Sequence, residues 1–241
     1  AKKWKLAQMM AAVKKGDILF VDEIHSLPAD CQELLYPALD RHEVPAVDPE
    51  KRRVVDGEWI QIPPFTLVVA TDQPGLLRNA LKQRIVLRYT LSRYEVPELR
   101  QIILNHAASL GILLKPQAAT RLAEAARGIP RKARRTLESL RTSMVDLQVE
   151  VTKGMMDRYL ASIGIDKENL TETDIRYLKI LLARKKHVSL RNLAIQLGTD
   201  VVAVQADVEG YLTQRGLIGI ESGGRFLTPE GAKFCQERKL V

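Results

Sequence analysis

The chain has 241 residues, 46% of them hydrophobic and 27% charged, with 37 Lys+Arg against 29 Asp+Glu for a formal net charge of +8. This mixture excludes a disordered or fibrous chain, and the length suits two domains or three small ones. No apolar run approaches the ~20 residues that span a bilayer, and the opening Ala1-Lys-Lys-Trp-Lys lacks a signal-peptide core, so no membrane partner is expected. Cys31 and Cys235 are too distant in sequence for a metal knuckle or a disulfide framework; they fit reduced thiols and a cytoplasmic location. The positive balance permits a nucleic-acid partner without establishing one.

In chain order, Trp4, Ala7, Met10 and Val13 have helical spacing and run into a Gly16-Asp17 break. Asp17-Ile-Leu-Phe-Val-Asp22-Glu23 and Phe65-Thr-Leu-Val-Val-Ala-Thr71 are short continuous apolar runs, the pattern of parallel strands buried on both faces. Between them Pro28–Leu39 reads as a helix. Residues 43–47 and 58–62 read as the strands of a protruding hairpin with a charged tip at 49–56. From about residue 93 only short helices follow. Stripes at Leu99–Leu110, Leu122–Ala126, Ala133–Leu147 and Met155–Ile163 are closed or separated by Gly111, Gly128 and Gly164, with Pro130 in a first turn. The last segment, 166–241, predicts three helices, with Thr171-Glu-Thr-Asp174, Ser189 and Thr199 at their starts. Two short strands then surround Gly223-Gly224, and Thr228-Pro229 opens a terminal helix. Three helices and a two-stranded wing make a winged helix-turn-helix.

Four hydrophobic residues followed by Asp22-Glu23 form the Walker-B pattern of P-loop ATPases. Such a strand delivers both carboxylates to the sheet edge where open α/β folds bind ligands. Asp22 is then placed to hold Mg2+, and Glu23 to polarise the attacking water. The histidines (His25, His42, His106, His187) show no metal-ligand spacing.

Taken together and in order, Asp17-Ile-Leu-Phe-Val-Asp-Glu-Ile-His25-Ser-Leu27, Leu34-Leu-Tyr-Pro-Ala-Leu39, Pro63-Pro-Phe-Thr-Leu67, Ala70-Thr71…Gly75-Leu-Leu77 and Gly128-Ile-Pro-Arg131 resemble the RuvB family of AAA+ Holliday-junction branch-migration motors. The resemblance runs through nearly the whole chain. It implies an α/β AAA+ P-loop ATPase domain, incomplete here, over 1–92, an all-α lid bundle over 93–165, and a winged-helix domain over 166–241. It also implies ATP and Mg2+ as ligands, double-stranded DNA or a Holliday junction as partner, and a homo-oligomeric ring, hexameric in the family. Residue by residue, Asp22 corresponds to the magnesium-organising acid, Glu23 to the catalytic glutamate and Arg84 to the arginine finger that serves a neighbouring subunit. Arg131 corresponds to sensor 2, Tyr94 to the adenine-side tyrosine that begins the lid, and Arg225 to a wing residue at the DNA backbone. For Arg84 and Arg131 the plain alternative is solvated surface charge; for Tyr94 it is packing between domains.

The sequence departs from that pattern in several places. It holds no Gly-x-x-x-x-Gly-Lys-Ser/Thr. In this fold that loop precedes the Walker-B strand, so the expectation is a P-loop segment upstream of Ala1, and 241 residues that alone neither bind ATP tightly nor hydrolyse it. The sensor-1 position falls on Asp72, whose carboxylate would repel Glu23 and a phosphate, or on Thr71. Lys82 and Gln83 replace the usual residues before the finger. The charged hairpin tip differs from the apolar one with which the family grips a RuvA-type junction-binding partner. Residues 127–141 hold six basic side chains and one acid, whereas 166–241 hold 12 basic and 10 acidic, a small electrostatic footprint for DNA. The alternative function is a non-catalytic AAA+-derived DNA-binding or adaptor subunit; a clamp-loader-type machine predicts no wing.

Overall fold

The computed structural model describes residues 2–240 except 145, 147, 185 and 186. It divides into two compact units, Ala1–Thr90 and Leu91–Val241.

In the first unit, helix α1 (Lys3–Ala11) buries Leu6, Ala7 and Met10. Strand β1 (Ile18–Val21) pairs in parallel with β4 (Thr66–Val69), Ile18 opposite Thr66 and Val21 opposite Val69. Helix α2 (Ala29–Asp40) tolerates Pro37 and buries Cys31, Leu34, Leu35 and Ala38. The antiparallel hairpin β2 (Glu43–Asp48) and β3 (Arg53–Gln61) has a register shift between Pro45 and Val47. Helix α3 (Asn79–Arg84) closes the unit. Leu6, Met10, Ile24, Leu35, Val44 and Leu81 share one core.

Two expectations change here. The β1 and β4 strands are not buried on both faces. Leu19, Val21, Leu67 and Val69 pack on the core, while Ile18, Phe20 and Val68 on the opposite face are 69%, 59% and 41% exposed. The alternation is physical: only one face of this two-stranded pair is covered among the described residues. The hairpin's turn is also shorter than its sequence suggests. Val44 at its base is fully buried, and β3 begins at Arg53, so the charged turn is confined to residues 49–52.

In the second unit, α4 (Val96–Ser109), α5 (Pro116–Ala125), α6 (Pro130–Ser143) and α7 (Lys153–Ser162) surround one core that includes Leu99, Ile103, Leu122, Leu137, Met156 and Leu160. Helix α6 stops at Ser143, so Met144 lies beyond it as a partly buried cap, and Leu147, expected in the same helix, lies outside the described residues. A second core, around Tyr177, Leu178, Leu193, Val204, Leu212 and Cys235, belongs to α8 (Glu172–Arg184), α9 (Leu190–Leu197), the third helix, the wing strands β5 (Ile218–Glu221) and β6 (Gly224–Leu227), and α12 (Pro229–Glu237). Thr171 and Asp174 cap α8 reciprocally: the Asp174 amide donates to Thr171 Oγ1, and the Thr171 amide to Asp174 Oδ2. Ser189 and Thr228 cap α9 and α12.

The third helix differs from its expected form in two ways. Its N-cap is Asp200, which accepts from the Ala203 amide, rather than Thr199. It is also interrupted. α10 (Val201–Ala203) passes into a π turn at Val204–Glu209 before α11 (Gly210–Gln214) resumes α geometry.

Candidate active site

The Asp22-Glu23 pair lies at the C-terminal end of β1, beside the C-terminal end of β4. Ala70 donates its amide to the Val21 carbonyl, and the Ile24 amide donates to Ala70, so the two strand ends advance together past the sheet edge. Glu23 then takes a left-handed backbone conformation (φ 49°, ψ 47°) that reverses the chain into the short helical turn Ile24–Ser26. This costs a non-glycine residue some backbone strain. The reversal brings His25 back over the carboxylates.

His25 is the hub. Its Nδ1 lies 2.9 Å from Thr71 Oγ1, 3.3 Å from Glu23 Oε2 and 3.7 Å from Asp72 Oδ1. Its Nε2 lies 3.3 Å from the Gln73 side-chain amide, and the Gln73 backbone N–H donates to Thr71 Oγ1 at 3.0 Å. Ligand atoms of Glu23, His25 and Asp72 all fall within 4.8 Å of one another, a proximity that the linear spacing of the histidines does not show. Asp22 stands outside that group: it is exposed, and its Oδ1 accepts the Glu23 amide at 3.0 Å. An exposed carboxylate of this kind fits a hard cation such as Mg2+. The candidates Glu23, Thr71 and Asp72 are thus brought together, and His25 is the member that sequence reasoning missed. Its only signal was the two-residue interval after Glu23, which one tight turn converts into contact.

Arg84 is held elsewhere in the same unit. It binds both oxygens of Asp40, donates Nη1 to the Ala80 carbonyl at 2.7 Å, and stacks over Tyr36 with 4.7 Å to the ring centroid. The hydrogen bonds with Arg84, with its positive charge, hold the Asp40 carboxyl below the ordinary carboxylate range, and the same pairing pushes Arg84 up.

Within the second unit, Tyr94 and the Gly128–Arg131 turn meet: the Tyr94 amide donates to the Gly128 carbonyl at 3.1 Å. Gly128 has φ +75°, and a Cβ there would lie 2.8 Å from Arg93 Cβ and from the Tyr94 carbonyl oxygen, so this crossing requires glycine. Tyr94 is 46% exposed, and Arg131 is exposed with no hydrogen-bond or ion-pair partner among the described residues.

Arg225 is not displayed as a wing residue at a DNA backbone would be. Its Nε and Nη2 bind Glu209 at 2.8 and 3.2 Å, and Tyr177 donates to the same carboxylate at 2.9 Å. The side chains of Arg225 and Glu209 are only 15% and 4% exposed. The acid that captures Arg225 sits on the π turn, 16 residues away, beyond the reach of local sequence rules. No Lys or Arg occurs between Val201 and Gln214.

Residues 1–91 match the family described as the Holliday junction DNA helicase RuvB P-loop domain, 94–166 the RuvB AAA lid domain, and 167–236 the RuvB C-terminal winged helix domain. Among solved structures, the chain is similar to a Lys→Arg mutant of Thermotoga maritima RuvB at 30% identity and TM-score 0.79, covering 98% of this chain and 75% of that one. A Pro→Gly mutant of the same protein gives 30% identity and TM-score 0.80, over 98% and 76%. The Thermotoga maritima RuvB Holliday junction branch migration motor gives 29% and 0.78, over 98% and 75%.

Proposed function

Because the chain belongs to the RuvB family, we propose that it is the motor subunit of an ATP-driven double-stranded DNA translocase that powers Holliday junction branch migration from a hexameric ring in the cytoplasm. The observation that carries this reading is the convergence of Glu23, His25, Thr71 and Asp72 at one sheet edge. Glu23, exposed and held by the reversed turn, takes the proton of the attacking water, and the Thr71 hydroxyl, fixed by His25 and the Gln73 amide, orients it. Asp72 adds negative charge beside Glu23, which keeps the site slow until a cation offsets it. Asp22 is the residue that would hold Mg2+, whose chemistry is to offset phosphate charge. Arg84 serves a neighbouring subunit's site after leaving Asp40, while Tyr94 and Arg131 are the lid residues that would bind the nucleotide. A RuvA-type partner would dock on the β2–β3 hairpin through the half-exposed Trp59 and Ile60 of β3, away from the charged turn.

Hydrolysis also needs a Gly-x-x-x-x-Gly-Lys-Ser/Thr loop, which residues 1–241 do not contain, so the 241 residues alone are inactive. The test supplies that loop ahead of α1 and measures ATP turnover with and without a four-way junction. Turnover is expected, and Glu23→Gln is expected to abolish it while nucleotide stays bound; undiminished turnover by that variant removes Glu23 from its role.

One observation favours the second reading, an adaptor or DNA-binding subunit without motor function. The third helix is free of basic residues and Arg225 is spent on Glu209, so this winged helix offers DNA few cations. Turnover absent from the loop-bearing protein, with junction binding retained, selects that alternative.

A further inference from the structure

Two arginines of the lid meet at the irregular third helix: Arg127 reaches its π turn, and Arg93 reaches Arg127 and the residue just after that turn. Arg127 (φ 55°) ends the loop after α5 and points its guanidinium into the winged helix. There it pairs with the Asp174 carboxylate, donates from Nε to the Asn169 carbonyl at 3.1 Å, and lies 3.8 Å from the centroid of Tyr211. Its Nη1 donates to the Asp207 carbonyl at 3.4 Å, inside the π turn. Arg127 is 5% exposed at its side chain. Arg93, beside Tyr94, approaches Arg127 and Gly210, the residue that follows the π turn. Its Nη1 donates to the Arg127 carbonyl at 3.4 Å, and its Nη2 lies 3.2 Å from where a Cβ on Gly210 would sit. Lys132 completes the set through Asp207 Oδ1 at 2.8 Å.

The arrangement resembles a crank. Arg127 and Arg131 stand at opposite ends of the Gly-Ile-Pro turn, the first buried in the winged helix and the second exposed. Arg127 thus links that turn to the carbonyl of Asp207. A π turn is one residue wider than the α geometry around it, and closing it rotates everything downstream by about 100° per residue of register. Coupling requires an element with two arrangements, and π against α geometry in this turn supplies a pair of that kind. A cleft of about 480 Å3 beside it, lined in part by Lys132, Arg135, Thr199, Val204 and Asp207, leaves room for the change.

We propose that Arg93 and Arg127 are positioning residues through which the lid holds the π state of the third helix, and so sets the geometry that this helix offers to duplex DNA. The choice of DNA as the responding ligand rests on the function proposed above; the clasp itself does not.

The test uses the full 241-residue chain. Arg127 is too buried for a clean deletion, so the variants are Arg93→Ala and Gly210→Ala. Gly210 has ordinary helical angles (φ −57°, ψ −39°), so alanine suits the helix and displaces only the mobile tip of Arg93. Each variant is expected to shift the backbone amide resonances of 204–216 while those of α4 and α7 stay in place. Each is also expected to change affinity for a four-way junction about fivefold or more, with the double variant no worse than either single. The slope of log affinity against log salt should not change. A slope reduced by ~0.9 in Arg93→Ala makes Arg93 a phosphate contact and overturns the proposal. Unshifted amides in both variants overturn it as well. If the wild-type chain binds no junction while the two variants still show the amide shifts, the DNA reading is overturned and the clasp stands.

Discussion

Arg84 and Asp40 are joined by a two-pronged ion pair, Nε lying 2.9 and 3.0 Å from the two carboxylate oxygens. A guanidinium so engaged has exchanged its reach for order: Asp40 takes Nε and Nη2, Ala80 takes Nη1, and Tyr36 covers one face. An arginine that acts on a neighbour's phosphate must first give up this acceptor, so Asp40 competes with the phosphate for the same donors.

Asp40→Asn tests that competition through pH. The Asp40 pKa is lowered by its hydrogen bonds to Arg84, so its contribution to stability is complete above the unfolded carboxylate range and is lost as pH falls through the folded value. The variant should therefore melt below wild type at pH 7 and pH 5, with the two melting curves merging only in strong acid, below about pH 3.9. A gap unchanged at pH 2 means the ion pair contributes nothing to it. Circular dichroism melts across that range give the answer.

Glu209 and Arg225 call for a different pair of variants. Both side chains are nearly enclosed, so Glu209→Ala leaves a buried cation without a partner and should cost about 3–5 kcal/mol in denaturant unfolding. Replacing both by apolar residues, as in Glu209→Leu with Arg225→Met, should recover most of that loss. In junction binding, Arg225→Ala should leave the salt slope as it is, because this guanidinium faces a carboxylate rather than phosphate; a slope smaller by ~0.9 returns it to the DNA surface.

Gly128→Ala should be far worse than its size suggests. The substitution meets Arg93 Cβ and the Tyr94 carbonyl at 2.8 Å and forces a side chain into left-handed backbone space. A loss of about 1–3 kcal/mol is expected from the backbone alone. Gly75→Ala is the control, since nothing lies within 4 Å of that site. Chemical denaturation of the two variants side by side should separate them clearly; equal stability removes the constraint assigned to the Tyr94–Gly128 crossing.

The parts of this molecule that local chemistry decides were readable in its sequence. Apolar spacing predicted the lid helices, the Thr171–Asp174 box marked the start of α8, and the glycine pair at 223–224 marked the wing. What escaped were outcomes of pairing at a distance. Arg225 reads as a surface cation until Glu209 is placed beside it, and Arg84 as a free finger until Asp40 arrives from 44 residues away. His25 carries no metal spacing in the linear sense, because Asp72 and Thr71 reach it from another strand. The π turn is invisible for the opposite reason: Val-Gln-Ala-Asp-Val-Glu has nothing in its composition that rejects α geometry, and its extra width belongs with tertiary contacts from the lid.

Tyr177 supplies an alkaline signature for the same buried cluster. Its hydroxyl donates to Glu209 within a fully buried side chain, and both desolvation and the Glu209 carboxylate push its pKa well above the ordinary tyrosine value. Above about pH 10 an unfolded chain releases this proton while the folded one keeps it. The unfolded state then binds fewer protons, so stability falls as pH rises, by up to about 1.4 kcal/mol per pH unit from this group. Tyr177 should be missing from the ultraviolet ionisation curve of the folded protein and return only when the chain unfolds. Tyr177→Phe should remove that part of the alkaline slope while leaving Glu209 its contacts with Arg225. An ionisation curve of the folded protein that Tyr177→Phe leaves smaller by one tyrosine near pH 10 would show that the Tyr177–Glu209 bond is open in solution.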